Sequence, residues 1–180
     1  MNSILVRNIN HLTDARYFAA MGVDWMSIQL SADPASFSKW HMLKDWVAGI
    51  KLAAEIQVDD EMLLAKTIID AAPDGIILNK LNIPEIPKNI QLFYDTNISK
   101  DFIQSDQGAF IFHYDDFAED QILQLPSDRI YLQASWSLTK LEQLLNKGYT
   151  GGICFMGGQE DKIGMRDYGV MDELIGLLDR

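Results

Sequence analysis

Several polar residues of this sequence, all at or near the ends of apolar segments, are of types that bind ligands or move protons. Glu55, Asp95 and His113 could act as acids or bases, because carboxylates and imidazole are the usual proton-transfer groups of proteins. Arg7 stays protonated, so it could hold a carboxylate or phosphate by two hydrogen bonds but could not serve as a base. The same pattern places five further side chains with them: Gln29, Gln57, Asn79, Gln133 and Cys154.

Each of these residues ends or follows a short apolar segment of the kind that forms β-strands. Side chains alternate between the two faces of a strand, and the face toward a layer of helices should be apolar. The polar residues are therefore expected on the opposite face, where they would meet at the strands' carboxyl ends. We interpret them as the lining of a pocket; the alternative is a solvated polar layer without a ligand.

The elements that would position these residues alternate between strand and helix. Residues 5–30 predict a strand, a helix and a second strand, with Asn10 as the helix N-cap and Gly22 as its left-handed end. Residues 79–89 contain two prolines and predict an irregular link with little helix. The same patterns predict further strands at 50–57, 75–78, 90–94, 109–113, 129–133 and 152–155, and helices at 36–48, 59–72, 99–104, 117–124, 137–146 and 168–178.

Eight strands joined by crossovers predict one domain over residues 1–180, a compact (β/α)8 barrel with a short or missing fourth helix. Barrels of this kind usually need roughly 200 residues or more. The chain has 180 residues, which keeps an open flavodoxin-like parallel sheet as the alternative.

Composition narrows the partners. The net charge of −11 disfavours nucleic acid and anionic lipid, and no 18-residue apolar segment or signal peptide is evident. Cys154, the single cysteine, excludes an internal disulfide and suits the reducing cytoplasm. Three scattered histidines have no metal-ligand spacing, so we expect neither metal nor cofactor. The expected partner is a small molecule, phosphorylated or not, bound by a monomer or homodimer.

Two segments carry a family resemblance. Residues 5–10 (LVRNIN) and 12–15 (LTDA) resemble the start of the phosphoribosylanthranilate isomerase family, whose first strand ends Lys-Ile-Cys-Gly-Ile-Thr before a Leu-x-Asp-Ala helix. Near the other end, residues 152–160 (GICFMGGQE) track the family's Gly-Val-Asp-Val-Ser-Ser-Gly-Val-Glu, and residues 164–167 (GMRD) track its Gly-Val-Lys-Asp. The resemblance spans the chain and favours the barrel over the open sheet.

The same resemblance implies that the usual catalytic groups are replaced. Arg7 stands at the position of the family's catalytic cysteine, and Asn8 replaces the glycine that follows it. His113 falls where the family has its general-acid aspartate, and Cys154 replaces an aspartate of strand eight.

The family's phosphate-binding segments are also reduced. The glycine-rich segment expected after strand six is replaced by residues 114–116 (YDD), and the Gly-Gly after strand seven by residues 134–135 (AS). An anthranilate-contacting arginine is lost near Ala35. Gly157 and Gly158 alone remain able to offer backbone N–H groups to an anion.

Three hypotheses follow. In the first, a divergent isomerase-like barrel binds a small polar molecule through Arg7, Gln29, Asn79, Gln133, Cys154, Gly157 and Gly158. In the second, the chain is an active isomerase of tryptophan biosynthesis that performs the Amadori rearrangement with Asp95 or Glu55 as base and His113 as acid. In the third, it is a non-catalytic interaction subunit with Trp46 and Trp136 exposed. Arg7 could instead form a structural ion pair with Glu55 or Asp95, and a pair that plugged the barrel mouth would contradict ligand binding.

Overall fold

Eight parallel strands of the chain close into a barrel in sequence order. The structure is a computed structural model that describes residues 2–56, 61–79, 86–95, 108–157 and 168–178. The strands are β1 Ile4–Arg7, β2 Trp25–Leu30, β3 Lys51–Ile56, β4 Gly75–Leu78, β5 Gln91–Asp95, β6 Ala109–His113, β7 Ile130–Gln133 and β8 Gly152–Met156. Closure is direct, because β1 pairs with β8 from Ile4 opposite Ile153 to Arg7 opposite Met156. The predicted (β/α)8 barrel is confirmed, and the open-sheet alternative is wrong.

Helices follow most of the strands and pack on the outside of the barrel. They are α1 Leu12–Ala20, α2 Pro34–Trp46, α3 Glu61–Lys66, α4 Glu119–Ile122, α5 Leu138–Asn146 and α6 Gly169–Leu178. The α3 helix continues as a π-helical segment, Thr67–Ala71. Short 3₁₀ turns, Tyr114–Asp116 and Ser127–Arg129, flank α4. No helix in the described ranges combines the length and apolarity that a membrane crossing requires.

Two apolar clusters fill the fold. The larger lies between the strands and the helices, and the smaller fills the barrel interior with Leu5, Trp25, Ala53, Ile77, Phe93, Ala109, Ile111, Tyr131 and Cys154. In the smaller cluster the Phe93 ring meets Trp25 and Tyr131 edge to face, with centroids 5.0 and 5.6 Å away. Trp25 and Tyr131 lie in the first half of their strands and Phe93 at the middle of β5, so the amino-terminal and central parts of the interior are apolar. Polar inward-facing residues are left for the carboxyl-terminal end.

The chain enters α1 differently from the prediction. Asn10 is not the N-cap: His11 precedes the helix without a side-chain cap, and the Asn10 amide donates to the carbonyl and side-chain oxygens of Asn8 at 3.1 and 2.9 Å. Asn8 adopts a left-handed backbone with φ of +58°. Asparagine tolerates that conformation better than most residues, so it can replace a glycine there. Gly22 follows the end of α1 with φ of +73°, as predicted.

Other helix boundaries shift for local reasons. The α2 helix begins at Pro34 because the Asp33 carboxylate accepts from the N–H of Ala35 at 2.9 Å. The predicted helix at 117–124 shortens to four residues, Glu119–Ile122. Of the link after β4, the structure describes residue 79 and residues 86–90, which have no helix. The predicted helix at 99–104 lies outside the described residues.

Candidate functional site

A buried guanidinium occupies the centre of the barrel mouth. Arg7 ends β1, and its side chain is 10% exposed. Its Nε and Nη2 atoms donate to the two carboxylate oxygens of Glu55 at 3.2 and 2.8 Å, the bidentate geometry that arginine favours. Its Nη1 atom lies 2.8 Å from both Asp95 Oδ2 and Gln133 Oε1. The structural ion pair expected for Arg7 is therefore present, with both carboxylates.

Glu55 is held as a carboxylate by four donors. Besides the two bonds from Arg7, its Oε1 atom accepts from the Ser27 hydroxyl and, at 3.3 Å, from the backbone N–H of Asn8. Burial alone would raise the pKa of Glu55, but these hydrogen bonds and the charge of Arg7 outweigh burial and lower it. Burial likewise opposes the charge of Arg7, and Glu55 raises the pKa of Arg7 above its ordinary value. Both groups are therefore charged at neutral pH.

Asp95 links this ion pair to His113. Asp95 ends β5, and its Oδ1 atom lies 3.9 Å from His113 Nε2, a separation too long for a direct hydrogen bond. The Asp95 side chain is 25% exposed and that of His113 is 43% exposed. A ligand or water could bridge the two atoms, or a small rotation could bring them into contact.

Gln133 and Cys154 complete the far side of the network. The Gln133 amide oxygen accepts from Arg7 and lies 3.5 Å from the Cys154 sulfur. Cys154 is fully buried, and burial raises the pKa of its thiol. A neutral, enclosed thiol is a poor nucleophile, so Cys154 serves as a packed residue of the interior.

A cavity of about 240 Å³ lies above the ion pair. It is lined by Arg7, Asn8, Gln29, Glu55, Ile56, Ile77, Leu78, Asn79, Asp95 and Met156. Typical small-molecule sites range from roughly 300 to 1,000 Å³, so this cavity would suit a small ligand. Among the described residues, the Arg7 ion pair forms part of the wall of this cavity and does not fill it.

Most of the predicted residues meet at this mouth. Arg7, Glu55, Asp95, Gln133 and Cys154 form one network, and Gln29 and Asn79 line the cavity. His113 stands beside Asp95 at the edge. Gln57 and Gly158 lie outside the described residues.

Sequence reasoning missed Ser27 and Asn8. Ser27 is fully buried, and its hydroxyl both donates to Glu55 and accepts from the N–H of Asn8 at 3.2 Å. A signal was present, because Ser27 precedes Gln29 by two residues and therefore shares its inward face. Asn8 contributes through its backbone N–H, which nearly every residue type has, so the sequence could not indicate this role.

Gly157 makes a backbone contact with β1. Its N–H donates to the Arg7 carbonyl at 2.6 Å, so that donor is already used. A Cβ atom at this position would lie 2.8 Å from the Arg7 carbonyl oxygen and 3.0 Å from that of Asn8. The close approach of two backbones explains why glycine stands here.

We therefore expect Gly157→Ala to lower the free energy of unfolding by about 1–3 kcal/mol, because the backbone of β1 must move to admit the methyl group. Urea unfolding would measure the loss. Gly176→Ala is the matched control, since a Cβ there meets no atom within 4 Å and α6 should tolerate alanine. Equal stability of the two variants would contradict the crowding argument.

The two tryptophans of the interaction hypothesis differ. Trp46 is 59% exposed, with the Arg16 guanidinium 4.8 Å from its ring centroid. Trp136 is half-buried rather than exposed: it packs against Tyr114 and donates from Nε1 to the Cys154 carbonyl at 3.1 Å. Trp136 is thus part of the wall around β8.

No group of three potential metal ligands converges within the described part of the chain. Of the titratable side chains at the mouth, Arg7, Glu55 and Asp95 are instead paired with one another.

Comparison with known proteins supports the architecture. No protein-family model matches the sequence, and no curated protein matches it. Solved structures do match: the isomerase of Thermus thermophilus superposes with a TM-score of 0.75 at 12% identity over 98% of both chains. A phosphoribosylanthranilate isomerase in complex with reduced 1-(o-carboxyphenylamino)-1-deoxyribulose 5-phosphate gives 0.74 at 12% identity over 97% of both chains. The dimeric enzyme of Thermotoga maritima, solved as monomers, gives 0.72 at 11% identity over 97% of both. The chain therefore has the barrel fold of phosphoribosylanthranilate isomerase.

Proposed function

We propose that this barrel binds a small polar molecule at its mouth and does not perform the isomerase reaction by the usual route. The observation that carries the proposal is the cavity of about 240 Å³, walled on one side by the Arg7, Glu55 and Asp95 network. A concave site with a few convergent polar groups is the common form of a small-molecule site.

The proton-transfer groups argue against the usual chemistry. The Amadori rearrangement needs one proton donor and one base on opposite sides of an anchored sugar. Arg7 stands where the family has its cysteine and cannot accept a proton. Glu55 accepts four hydrogen bonds, and its lowered pKa makes it a weak base.

Phosphate anchoring is also weak among the described residues. The Gly157 N–H donates to the Arg7 carbonyl, and the donors of Arg7 already bind Glu55, Asp95 and Gln133. These contacts leave Arg7 one further N–H, on Nη2, for an anion at the mouth. The proposal extends to a cytoplasmic monomer or homodimer without cofactor, a location supported by the free thiol of Cys154.

A direct assay tests the proposal. We expect purified protein to give no turnover of freshly made phosphoribosylanthranilate above the uncatalysed background, followed as loss of anthranilate-type fluorescence. Circular dichroism would show that the protein is folded, and the Thermus thermophilus isomerase would serve as the positive control. Turnover by the wild type that His113→Ala removes would overturn the proposal.

That outcome would instead support a second candidate, an active isomerase of tryptophan biosynthesis. The observation in its favour is that a carboxylate, Asp95, and an imidazole, His113, both lie at the barrel mouth, although their 3.9 Å separation places them on the same side of a bound sugar. Asp95→Asn would then abolish turnover together with His113→Ala, whereas Asp128→Asn, an exposed change outside the mouth network, would not.

A further inference from the structure

Among the described residues of the mouth, some polar groups have hydrogen-bond partners and others have none. Arg7 directs its donors to Glu55, Asp95 and Gln133, which leaves its positive charge surrounded by protein acceptors. Asp95 uses one oxygen for Arg7, and its other oxygen, Oδ1, makes no hydrogen bond among the described residues. The exposed amide of Gln29 also makes none there. Acceptors are therefore available to a ligand, while four of the five N–H groups of the guanidinium already face protein acceptors.

The net charge of the described cavity lining also favours a ligand that donates hydrogen bonds. Two carboxylates, Glu55 and Asp95, face one guanidinium in the wall of the cavity, and Arg7 is the only basic residue among its described lining. The described wall thus carries one net negative charge, within a chain of net charge −11. Both fields attract a cation and repel a phosphate.

We infer that the ligand carries a protonated nitrogen, such as a primary ammonium group on a small polyol, and donates it to Asp95 Oδ1. This inference rests on the proposed binding function and specifies its ligand class. An ammonium has three donors, so it could also bind the Gln29 amide oxygen at the cavity wall or the acceptor nitrogen of a neutral His113. The 3.9 Å between Asp95 Oδ1 and His113 Nε2 leaves both atoms able to accept from one such group.

Two matched triads of probes test the ligand class. The first is glucosamine, glucose and glucose 6-phosphate; the second is 3-amino-1,2-propanediol, glycerol and glycerol 3-phosphate. Each is titrated at equal ionic strength into ¹⁵N-labelled protein, and dissociation constants are taken from side-chain amide shifts. We expect the ammonium member of each triad to bind about tenfold more tightly than the neutral member, and the phosphate to bind most weakly.

Variants distinguish binding at Asp95 from attraction to the net negative charge of the whole protein. Asp95→Asn should remove the tenfold preference for the ammonium member, while Asp128→Asn, an exposed change at the opposite end of the barrel with the same effect on net charge, should keep it. Gln29→Glu guards against failure of the first variant to fold. Because that side chain is exposed, the substitution should leave folding intact and strengthen ammonium binding.

The outcomes distinguish the two proposals. Tightest binding by a phosphate, or equal binding of the ammonium and neutral members, would overturn the ligand class and leave small-molecule binding in place. A preference that survives Asp95→Asn unchanged would also overturn it, because attraction to the overall negative charge would then explain it. Failure of all six probes would contradict small-molecule binding itself.

Discussion

Glu55→Ala is expected to lower the free energy of unfolding by about 3 kcal/mol, because the buried charge of Arg7 loses its bidentate partner and keeps only the partly exposed Asp95 carboxylate. The Arg7 side chain is 10% exposed and would lose its bidentate partner and two of its hydrogen bonds. Urea unfolding near neutral pH would measure the loss. Asp115→Ala is the matched control: that carboxylate also pairs with a cation, Lys140 at 2.6 Å, but is 70% exposed and should cost less than about 1 kcal/mol.

A double substitution tests whether the lower stability of Glu55→Ala comes from the charge of Arg7 without its bidentate partner. In Arg7→Met combined with Glu55→Leu, the two buried charges disappear and apolar side chains of similar size take their place, while the Asp95 carboxylate, which is 25% exposed, is left to solvent. Buried ion pairs can often be exchanged for apolar groups at little cost, so the double variant should be more stable than Glu55→Ala. A double variant less stable than the single one would show that packing around Glu55, rather than the charge of Arg7, dominates.

The barrel was predictable because its strands are short apolar segments with clear ends. The predicted bounds of the strands at 75–78 and 109–113 match β4 and β6, and alternation placed Arg7, Glu55 and Asp95 on the inward face. A period of two residues is enough to assign a face once one side must be apolar. Because all the strands are parallel, a residue that ends a strand also lies at the carboxyl-terminal end of the barrel.

The pairing of these residues was less predictable. Arg7 and Glu55 belong to β1 and β3, with β2 between them, so their contact depends on the stagger of the barrel and on what β2 places in the gap. Ser27 occupies that gap, and its small side chain bonds to Glu55 directly. A sequence reports which face a residue takes but not the distance that a side chain must cover, so both carboxylates remained candidates for Arg7.

Asn8 and Arg7, which are neighbours at the end of β1, meet different structural requirements. Its backbone lies in the left-handed region and its N–H donates to Glu55 and Ser27, so the turn after β1 needs a residue that tolerates positive φ. Asparagine satisfies that need without being glycine. The neighbouring Arg7 carries a different requirement, a partner for a buried charge, and Glu55 supplies it. The backbone geometry of the turn and the electrostatics of the mouth therefore place separate requirements on these two neighbouring residues.

Arg7→Ala should cost about 3–5 kcal/mol near neutral pH, because both carboxylates lose their cation, and this loss should depend on pH in a way that the loss in Glu55→Ala does not. Without Arg7, burial is the largest influence on Glu55 and raises its pKa, and the nearby Asp95 carboxylate adds repulsion. An acid whose folded pKa is raised destabilises the protein above that pKa and ceases to do so as pH falls and it is protonated. Acidification should therefore restore part of the stability of Arg7→Ala.

In the wild type, the contribution of Glu55 to the free energy of unfolding changes with pH in the opposite direction. The pKa of Glu55 is lowered there, so its stabilising contribution is present above the ordinary carboxyl pKa and is lost only as pH falls through the lowered value. Between neutral pH and about pH 5 that contribution stays nearly constant, because unfolded glutamate titrates near 4.3. Over this interval the difference between the wild type and Arg7→Ala should shrink, while the difference between the wild type and Glu55→Ala should not, since arginine stays protonated throughout. Urea unfolding at both pH values would measure the two differences, with Lys88→Ala as the control for loss of an exposed cation. A deficit of Arg7→Ala that stays constant with pH would mean that Glu55 is solvated in the variant, and the buried carboxylate would no longer explain the electrostatics of the mouth.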